Sequence, residues 1–158
     1  KKGYVSIHGP EHHILDGASL LVAYKNAGGN IDLDNALEKL MAEGLRMPGA
    51  MCGNWGVCGS VSSLGAVFSI LHDVGPLSGN KFYADDLEFT SLVLSKMSKI
   101  GGPRCCKRNA FLSISTAVEF VKEKYGIEME LSEIKCEFTN YNKQCIKDRC
   151  PFFDKSCS

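Results

Sequence analysis

The sequence predicts an all-α fold of about five helices, followed by an irregular, cysteine-rich C-terminal tail. Apolar residues recur at helical spacing between residues 14 and 125, and glycine or proline separates the segments that carry them. After Leu131 the chain turns polar and holds four of its eight cysteines. A chain of 158 residues suits a single domain, 1–158, with an ordinary apolar core, and its tail, 132–158, is expected to be pinned by a metal.

Two helices are predicted in the first third of the chain. Pro10 favours a helix start, and apolar residues that include Leu15 and Val22 follow at the spacing of a buried face. Gly28 ends this helix. Asp32 is a favourable N-cap residue, so the second helix is predicted to begin directly after it.

Three more helices are predicted before the tail. One begins near Ser60, and the next runs from about residue 85 to 100 with Leu87 facing inward. The last runs from about residue 106 to 125 and ends at Gly126. Short strands are allowed only at 4–7 and 135–139.

Composition and charge exclude two broad classes of protein. Lys and Arg together number 18, as do Asp and Glu, so the net charge is zero. A protein whose whole surface follows DNA or RNA is therefore excluded, although a local basic patch stays open. No apolar run approaches the ~20 residues that cross a bilayer, so no membrane association is expected. A disulfide between the adjacent Cys105 and Cys106 would be strained, which favours free thiols and a cytoplasmic location.

The first group of cysteines lies in a glycine-rich segment. Cys52 and Cys58 flank Trp55, and Gly59 follows the second thiol directly. Because Cys58 precedes a predicted helix N-terminus, its thiolate is expected to be stabilised, which makes it a candidate catalytic thiol. Cys52, Trp55 and Gly59 are candidate cofactor-binding residues. The alternative is a glycine turn with small buried cysteines and a core tryptophan.

The second group is the vicinal pair Cys105 and Cys106, which lies between Arg104 and Arg108 at the start of another predicted helix. Positive charge lowers a thiol pKa and holds anions, so Cys105, Arg104 and Arg108 are candidate catalytic residues. The alternative is a solvated basic helix start that carries two packed cysteines.

The third group comprises Cys136, Cys145 and Cys150, the last of which precedes a proline as in many iron–sulfur ligand runs. These three are predicted metal ligands, and Cys106 is the candidate fourth ligand, with the thiols of the first group as alternatives. Cys157 is expected to be a bystander. The alternative is a tail stapled by disulfides.

His12 and His13 follow a predicted helix start and are candidate cofactor-binding residues or proton donors. A local polar helix start without a functional role explains them equally well.

The combination of these motifs resembles an uncharacterised prokaryotic family of unknown function. The resemblance is carried by His-Gly-Pro-Glu-His-His from residue 8, by Pro-Gly-Ala-Met-Cys-Gly-Asn-Trp-Gly-Val-Cys-Gly from residue 48, by Gly-Gly-Pro-Arg-Cys-Cys-Lys-Arg from residue 101, and by Asn-Lys-Gln-Cys from residue 142 leading to Cys-Pro-Phe. It implies that seven cysteines belong to the family pattern, with Cys157 outside it. Members of that family often carry a cysteine-rich ribbon ahead of this domain, which implies that this chain is the C-terminal domain of a longer protein or that its ribbon was lost. Some members are labelled methyltransferases by association.

A shorter stretch, Cys-Gly-Ser-Val-Ser-Ser-Leu-Gly from residue 58, is similar to the helical redox family named for its C-GCAxxG-C-C cysteines. That likeness implies a helical redox fold. The methyltransferase label finds no support in the residues, because the glycine-rich first turn and acidic ribose partner of such enzymes are absent.

The sequence therefore predicts an iron–sulfur-cluster-binding domain of the 4Fe–4S type with a role in redox chemistry or sulfur transfer. The alternative is a structural zinc domain that mediates binding to a partner or a nucleic acid. Expected partners are an anionic small molecule, a sulfur donor or acceptor, the cysteine-rich N-terminal domain or a redox protein. Whether the chain is an enzyme stays open.

Overall fold

The computed structural model describes residues 5–157 of the chain, and for Cys157 the backbone alone. Within these residues the chain forms five long helices and one short helix: α1 (His12–Asn26), α2 (Leu33–Arg46), α3 (Cys52–Trp55), α4 (Gly59–His72), α5 (Lys81–Ile100) and α6 (Cys106–Tyr125). The predicted all-α class is confirmed. In place of the strand allowed at 135–139, an isolated bridge joins Cys136 to Phe153, and residues 5–7 form no strand.

Local chemistry explains where these helices begin and end. The Asp32 side chain accepts a hydrogen bond from the Asn35 N–H at 3.2 Å, as expected of the predicted N-cap. Asn80 caps α5 in the same way, so this helix begins earlier than predicted. Gly126 ends α6 in the left-handed conformation, with a φ of 70° that favours glycine.

Helix α4 lies at the centre of the fold and packs against α1, α2, α5 and α6. Its Phe68 ring lies 4.6 Å from the ring of Phe89 and 5.5 Å from that of Phe120, and all three side chains are buried. Full burial of each such side chain stabilises the fold by roughly 1.5–3 kcal/mol. This aromatic cluster forms the middle of the core and holds α4, α5 and α6 together.

The buried faces of α1 and α5 differ from those predicted. Leu15, Val22 and Leu87 were expected to face inward, but they are exposed. Helix α1 instead approaches α4 through Gly17, whose N–H donates a hydrogen bond to the Ser63 hydroxyl at 3.1 Å. A Cβ atom at residue 17 would lie 2.8 Å from that hydroxyl oxygen, so the close helix contact depends on glycine.

The C-terminal tail folds back against the first half of α6. Three short 3-10 turns, Thr139–Tyr141, Lys147–Arg149 and Lys155–Cys157, are the regular elements of its described part. The Phe152 ring packs edge-to-face on Phe111 of α6 at 5.5 Å, and the Lys107 ammonium lies 4.8 Å from the centre of the Phe138 ring. The tail thereby covers the N-terminal end of α6, where the vicinal cysteines lie.

Within residues 5–157, the helices are all too short or too polar to cross a membrane.

Candidate functional site

Four cysteines line one cavity between the start of α6 and the tail. They are Cys105, Cys136, Cys145 and Cys150, and the space between them measures about 360 Å³, part of which is open to solvent. Phe111, Phe138, Ile146 and Phe152 add apolar walls. We call this space the four-thiol cavity. It brings together soft ligands from four points of the sequence inside a mostly apolar shell.

Backbone hydrogen bonds of the tail set the positions of its three thiols. The Cys136 N–H donates to the Phe152 carbonyl at 2.8 Å, which joins the two ends of the tail. The N–H of Cys145 donates to the Asn142 carbonyl at 3.0 Å, and that of Cys150 donates to the Lys147 carbonyl at 2.7 Å. Cys145 and Cys150 therefore each lie at the end of a tight turn, whereas Cys136 lies in the isolated bridge to Phe153.

Hydrogen-bond donors point at two of the sulfur atoms. The Cys105 Sγ atom accepts bonds from the Arg108 backbone N–H at 3.5 Å and from the Asn142 side-chain amide at 3.4 Å. The Cys145 Sγ atom accepts one from the Lys147 N–H at 3.4 Å. Such donors stabilise a thiolate and, around a cluster, tune its reduction potential.

His8 connects this cavity to the vicinal pair. Its Nδ1 atom lies 3.4 Å from the Cys106 backbone N–H, and its Nε2 atom lies 3.2 Å from Asn142 Oδ1. Because the backbone N–H can only donate, Nδ1 is the acceptor, and Nε2 carries the proton that it donates to Asn142. The Asn142 amide group then donates to Cys105, so one chain of hydrogen bonds runs from Cys106 to Cys105 through two side chains.

Burial raises the pKa of the Cys136 and Cys150 thiols, and neighbouring thiols of the same cavity raise it further. For Cys150, the positive charge of Arg108 acts in the opposite direction and lowers the pKa. Without a metal these two thiols are therefore protonated at neutral pH. A bound metal would displace their protons and pair the resulting charge.

Arg108 is buried at the boundary between the four-thiol cavity and a second cavity. Its guanidinium donates to the carbonyls of Gly101 and Pro103 at 3.1 and 2.9 Å, and also to the Asn109 side chain at 3.4 Å. These bonds fix the loop before α6. Arg108 is thus a buried positive charge that orders the loop carrying the vicinal cysteines.

The remaining three described thiols form a second group. Cys52 is the first residue of α3, Cys58 is the N-cap residue of α4, and Cys106 is the first residue of α6. Burial raises the pKa of both Cys58 and Cys106, and each lies close enough to Cys52 for that thiol to raise it further. We call these residues the three-thiol group. The backbone N–H groups of Ser60 and Val61 at the start of α4 lower the Cys58 pKa, as expected, but burial outweighs them.

A second cavity borders the three-thiol group and is wider than the first. It measures about 910 Å³, including open solvent, and Cys52, Cys58, Arg104 and Arg108 are among its lining residues. The Asn109 side-chain amide donates to the Cys58 Sγ atom at 3.2 Å. We call this space the open cavity.

The candidate cofactor-binding residues His12, His13 and Trp55 lie in different surroundings. His12 is buried, its Nδ1 atom lies 3.1 Å from Asp16 Oδ1, and it is thereby held within α1. His13 is buried beside Gly59, and its Nδ1 atom has no hydrogen-bond partner within the described residues. It lines a third cavity of about 340 Å³ together with Cys52 and Trp55. Trp55 is 60% exposed, so it is not a core residue.

The structure corrects two details of the predicted site. Cys105, rather than the predicted Cys106, lies in the cavity with the three tail thiols. The seven described thiols also divide into two groups and do not surround one centre, because the vicinal residues contribute to different groups. Sequence reasoning missed Asn109 and Asn142 as partners of these groups, although Asn142, like His8, lies in a motif of the resembled family.

Among residues 5–157, no three His, Cys, Asp or Glu side chains are arranged so that they could hold a single metal ion. A zinc ion needs its ligands about 2.0–2.3 Å from one atom. In a 4Fe–4S cluster each thiolate binds a different iron, so the sulfur atoms need not converge on one point.

Fold and site together define a helical domain with a cysteine-lined cavity beneath a C-terminal tail. The chain belongs to a family of unknown function (DUF5714), whose model matches residues 1–153. The family membership suggested by the motifs is thereby confirmed. Comparison with curated proteins and with solved structures finds no match to this chain.

Proposed function

We propose that this chain binds a 4Fe–4S cluster through Cys105, Cys136, Cys145 and Cys150 and that its role is redox. The observation that carries the proposal is the four-thiol cavity itself, in which cysteines from the start of α6 and from the tail line one apolar space. Soft thiolates select iron–sulfur clusters or zinc, and four cysteines are the usual ligands of a 4Fe–4S cluster.

The surrounding residues support a cluster that exchanges electrons. When bound, a 4Fe–4S cluster supplies one-electron transfer. The chain contributes apolar walls that exclude water, hydrogen bonds from Asn142 and from the Arg108 and Lys147 backbones to two sulfur atoms, and the buried Arg108 charge. The hydrogen bonds and the Arg108 charge favour a reduced cluster, which carries more negative charge than the oxidised one.

Sulfur transfer is the weaker part of the sequence-based hypothesis. It requires an accessible thiolate that attacks a sulfur donor. Burial raises the pKa of Cys58, Cys106, Cys136 and Cys150, so these thiols are poor nucleophiles at neutral pH. A redox role, with a redox protein or a cysteine-rich N-terminal domain as electron partner, therefore accounts better for the buried thiols.

The seven cysteines of the described part are all unpaired. Free thiols at this density suit a reducing compartment, which supports a cytoplasmic location.

The test is anaerobic purification or reconstitution with iron and sulfide, followed by a visible spectrum and by iron, zinc and sulfide analysis. The wild-type chain should be brown, with a broad absorbance at ~400 nm that bleaches on reduction. Cys145→Ala and Cys150→Ala should lose this chromophore, whereas Cys157→Ala should keep it. A colourless chain with one tightly bound zinc would favour the structural zinc domain instead, and equal losses in all three variants would contradict the ligand set.

A further inference from the structure

The three-thiol group is not used by the proposed cluster. Cys52, Cys58 and Cys106 come from the beginnings of three different helices. Cys52 and Cys58 line one cavity, and Cys106 lies one helical turn before Asn109, whose side-chain amide donates to the Cys58 sulfur at 3.2 Å. Three separate stretches of chain thus bring a thiol to one place. Cys52 and Cys58 open onto the open cavity, whose lining, among the described residues, includes two arginines and no carboxylate.

We propose that Cys52, Cys58 and Cys106 bind a second 4Fe–4S cluster, with one iron that has no thiolate ligand and is accessible from the open cavity. The other four described thiols line the four-thiol cavity, so no fourth described thiol remains for this centre. The arrangement differs from the first site in one decisive respect, since the first site supplies a thiolate to every iron.

The local electrostatics favour an anionic group at this position. Cys58 caps the N-terminal end of α4, which has 14 residues, and Cys106 begins α6, which has 20 residues, so two helix dipoles present their positive ends here. The Asn109 amide donates to Cys58 at 3.2 Å, and the positive charge of Arg104 acts on Cys106. Each of these effects stabilises the negative charge of a cluster bound by three thiolates.

Two further observations indicate a ligand site rather than a packed core. The open cavity measures about 910 Å³, including open solvent, and Gly53, Gly56, Gly101 and Gly102 form part of its wall. Glycines allow the backbone to approach a bound group closely. The Nδ1 atom of the buried His13 also has no partner among residues 5–157, and this residue shares an adjoining cavity with Cys52.

The iron without a thiolate defines the class of ligand that the open cavity would admit. A small anion could bind that iron while Arg104, which is exposed and lines the cavity, pairs with the rest of its charge. Arg108 is less suited to this task because its guanidinium already binds two backbone carbonyls.

The second centre is tested by iron and sulfide analysis of the anaerobically reconstituted chain. The wild type should hold about eight iron and eight sulfide atoms per chain, since each cluster contributes four of each. The triple variant Cys52→Ser/Cys58→Ser/Cys106→Ser should fall to about half this iron content. The triple variant Cys136→Ser/Cys145→Ser/Cys150→Ser should also fall to about half, and Cys157→Ser should stay unchanged.

Cys58 is buried, so its replacement risks unfolding α4. The single variant Cys52→Ser changes a partly exposed residue of the short α3 and should lose the second cluster while far-ultraviolet circular dichroism stays unchanged. Mild oxidation with ferricyanide gives an independent readout. It should release one iron from the three-thiolate cluster and produce the paramagnetic signal of a 3Fe–4S cluster, which Cys52→Ser should lack.

The two proposals fail separately. About four irons in the wild type, lost with the tail cysteines and unaffected by Cys52→Ser, would overturn the second centre and leave the first intact. About four irons in the wild type that are lost in Cys52→Ser but retained in the triple variant of the tail cysteines would overturn the first centre and leave the second intact. A wild-type chain that binds no iron under these conditions would overturn both.

Discussion

His8 Nε2 lies 3.2 Å from Asn142 Oδ1, which joins the segment before α1 to the tail across 134 residues of sequence. The other ring nitrogen of His8 accepts from the Cys106 N–H, and the Asn142 amide donates to the Cys105 sulfur. One imidazole and one amide therefore connect the two thiol groups. A substitution of His8 or Asn142 should therefore change the hydrogen bonding of the vicinal cysteines.

Asn142→Leu should lower the reduction potential of the proposed cluster. The variant removes a hydrogen bond to the Cys105 sulfur, and such bonds stabilise the more negatively charged reduced state. A bond that differs by about 1 kcal/mol between the two redox states corresponds to roughly 40 mV for one electron, so we expect a decrease on the order of tens of millivolts. Anaerobic redox titration followed by visible absorbance measures it.

Gln144→Leu is the control for this variant, because residue 144 is exposed and donates only through its backbone to Asn142. Its potential should match that of the wild type. An unchanged potential in Asn142→Leu, with the cluster retained, would show that this hydrogen bond does not tune the centre.

Removing the metal should open the tail. The Phe111–Phe152 ring contact and the contact of Lys107 with Phe138 hold the described tail to α6, and thiols bound to a metal are expected to strengthen this attachment. Trypsin should cut after the exposed Lys147 and Arg149 at least about tenfold faster in Cys150→Ala, because a loss of 1.4 kcal/mol raises the open population tenfold.

The metal-loaded wild type and the Cys157→Ala variant serve as controls for the protease experiment. Both should be cut slowly, and chelation of the metal should bring the wild type to the rate of Cys150→Ala. Equal cleavage rates with and without metal would show that the tail folds without its thiols being bound.

Gly59→Ala should destabilise the protein, because Gly59 makes room for the His13 ring. A Cβ atom at residue 59 would lie 2.1 Å from Cδ2 and 2.2 Å from Nε2 of His13, far inside contact distance. Overpacking of this kind costs about 1–3 kcal/mol of the free energy of unfolding. Urea unfolding followed by circular dichroism measures the loss.

Gly53→Ala is the matched control, since a Cβ atom there would meet nothing within 4 Å. Its free energy of unfolding should stay within about 0.5 kcal/mol of the wild type. In a His13→Ala background the cost of Gly59→Ala should fall, because the ring that it meets is gone. A cost that is the same in both backgrounds would place the strain elsewhere.

The helices could be predicted from the sequence because their signals are local. Asp32 caps α2 through its own side chain, and Gly126 ends α6 through its own backbone conformation. Which face of a helix is buried depends on its neighbours. In α1 and α5 the apolar residues at helical spacing did not predict the buried face correctly. In α6 the buried face includes Ser113, Thr116 and Ala117, which fit the close approach of other helices and carry little hydrophobic signal.

The sequence predicted that the tail cysteines lie together with a cysteine from a helix start, but it did not show which cysteine that is. The three tail thiols do line one cavity, and a helix-start cysteine joins them, as expected. Which member of the vicinal pair joins them could not be read from the chain. Cys105 is the extended N-cap residue and Cys106 is the first helical residue, so their side chains leave the backbone in different directions. Only the folded structure, in which Cys105 lines the four-thiol cavity and Asn109 of the same helix contacts Cys58, reveals that the pair serves two groups.

Asp86→Asn should stabilise the protein at neutral pH and lose that advantage in acid. Asp86 lies on α5, its Oδ1 atom is buried without a hydrogen-bond partner within the described residues, and burial raises its pKa to about 6. The unfolded chain, with a pKa near 3.8, gives up this proton more readily than the folded chain does. The contribution of the Asp86 carboxyl group to the free energy of unfolding is therefore largest below pH 4. It falls as the pH rises from about 4 to 6 and stays low above that range.

The variant cannot ionise, so it should avoid this penalty above pH 6 and match the wild type at pH 4. We expect a gain of about 1 kcal/mol at pH 7.5, less than the full linkage value, because the carboxyl group is partly solvated. Asp85→Asn is the control at the neighbouring residue and should lower the free energy of unfolding. Asp85 pairs with Lys124 at 3.7 Å and accepts a hydrogen bond from the Tyr125 hydroxyl at 3.4 Å, so its charge is stabilising. Urea unfolding of the three proteins at several pH values measures the effect. A gain for Asp86→Asn that is equally large at pH 4 would show that ionisation of this buried carboxyl is not its cause.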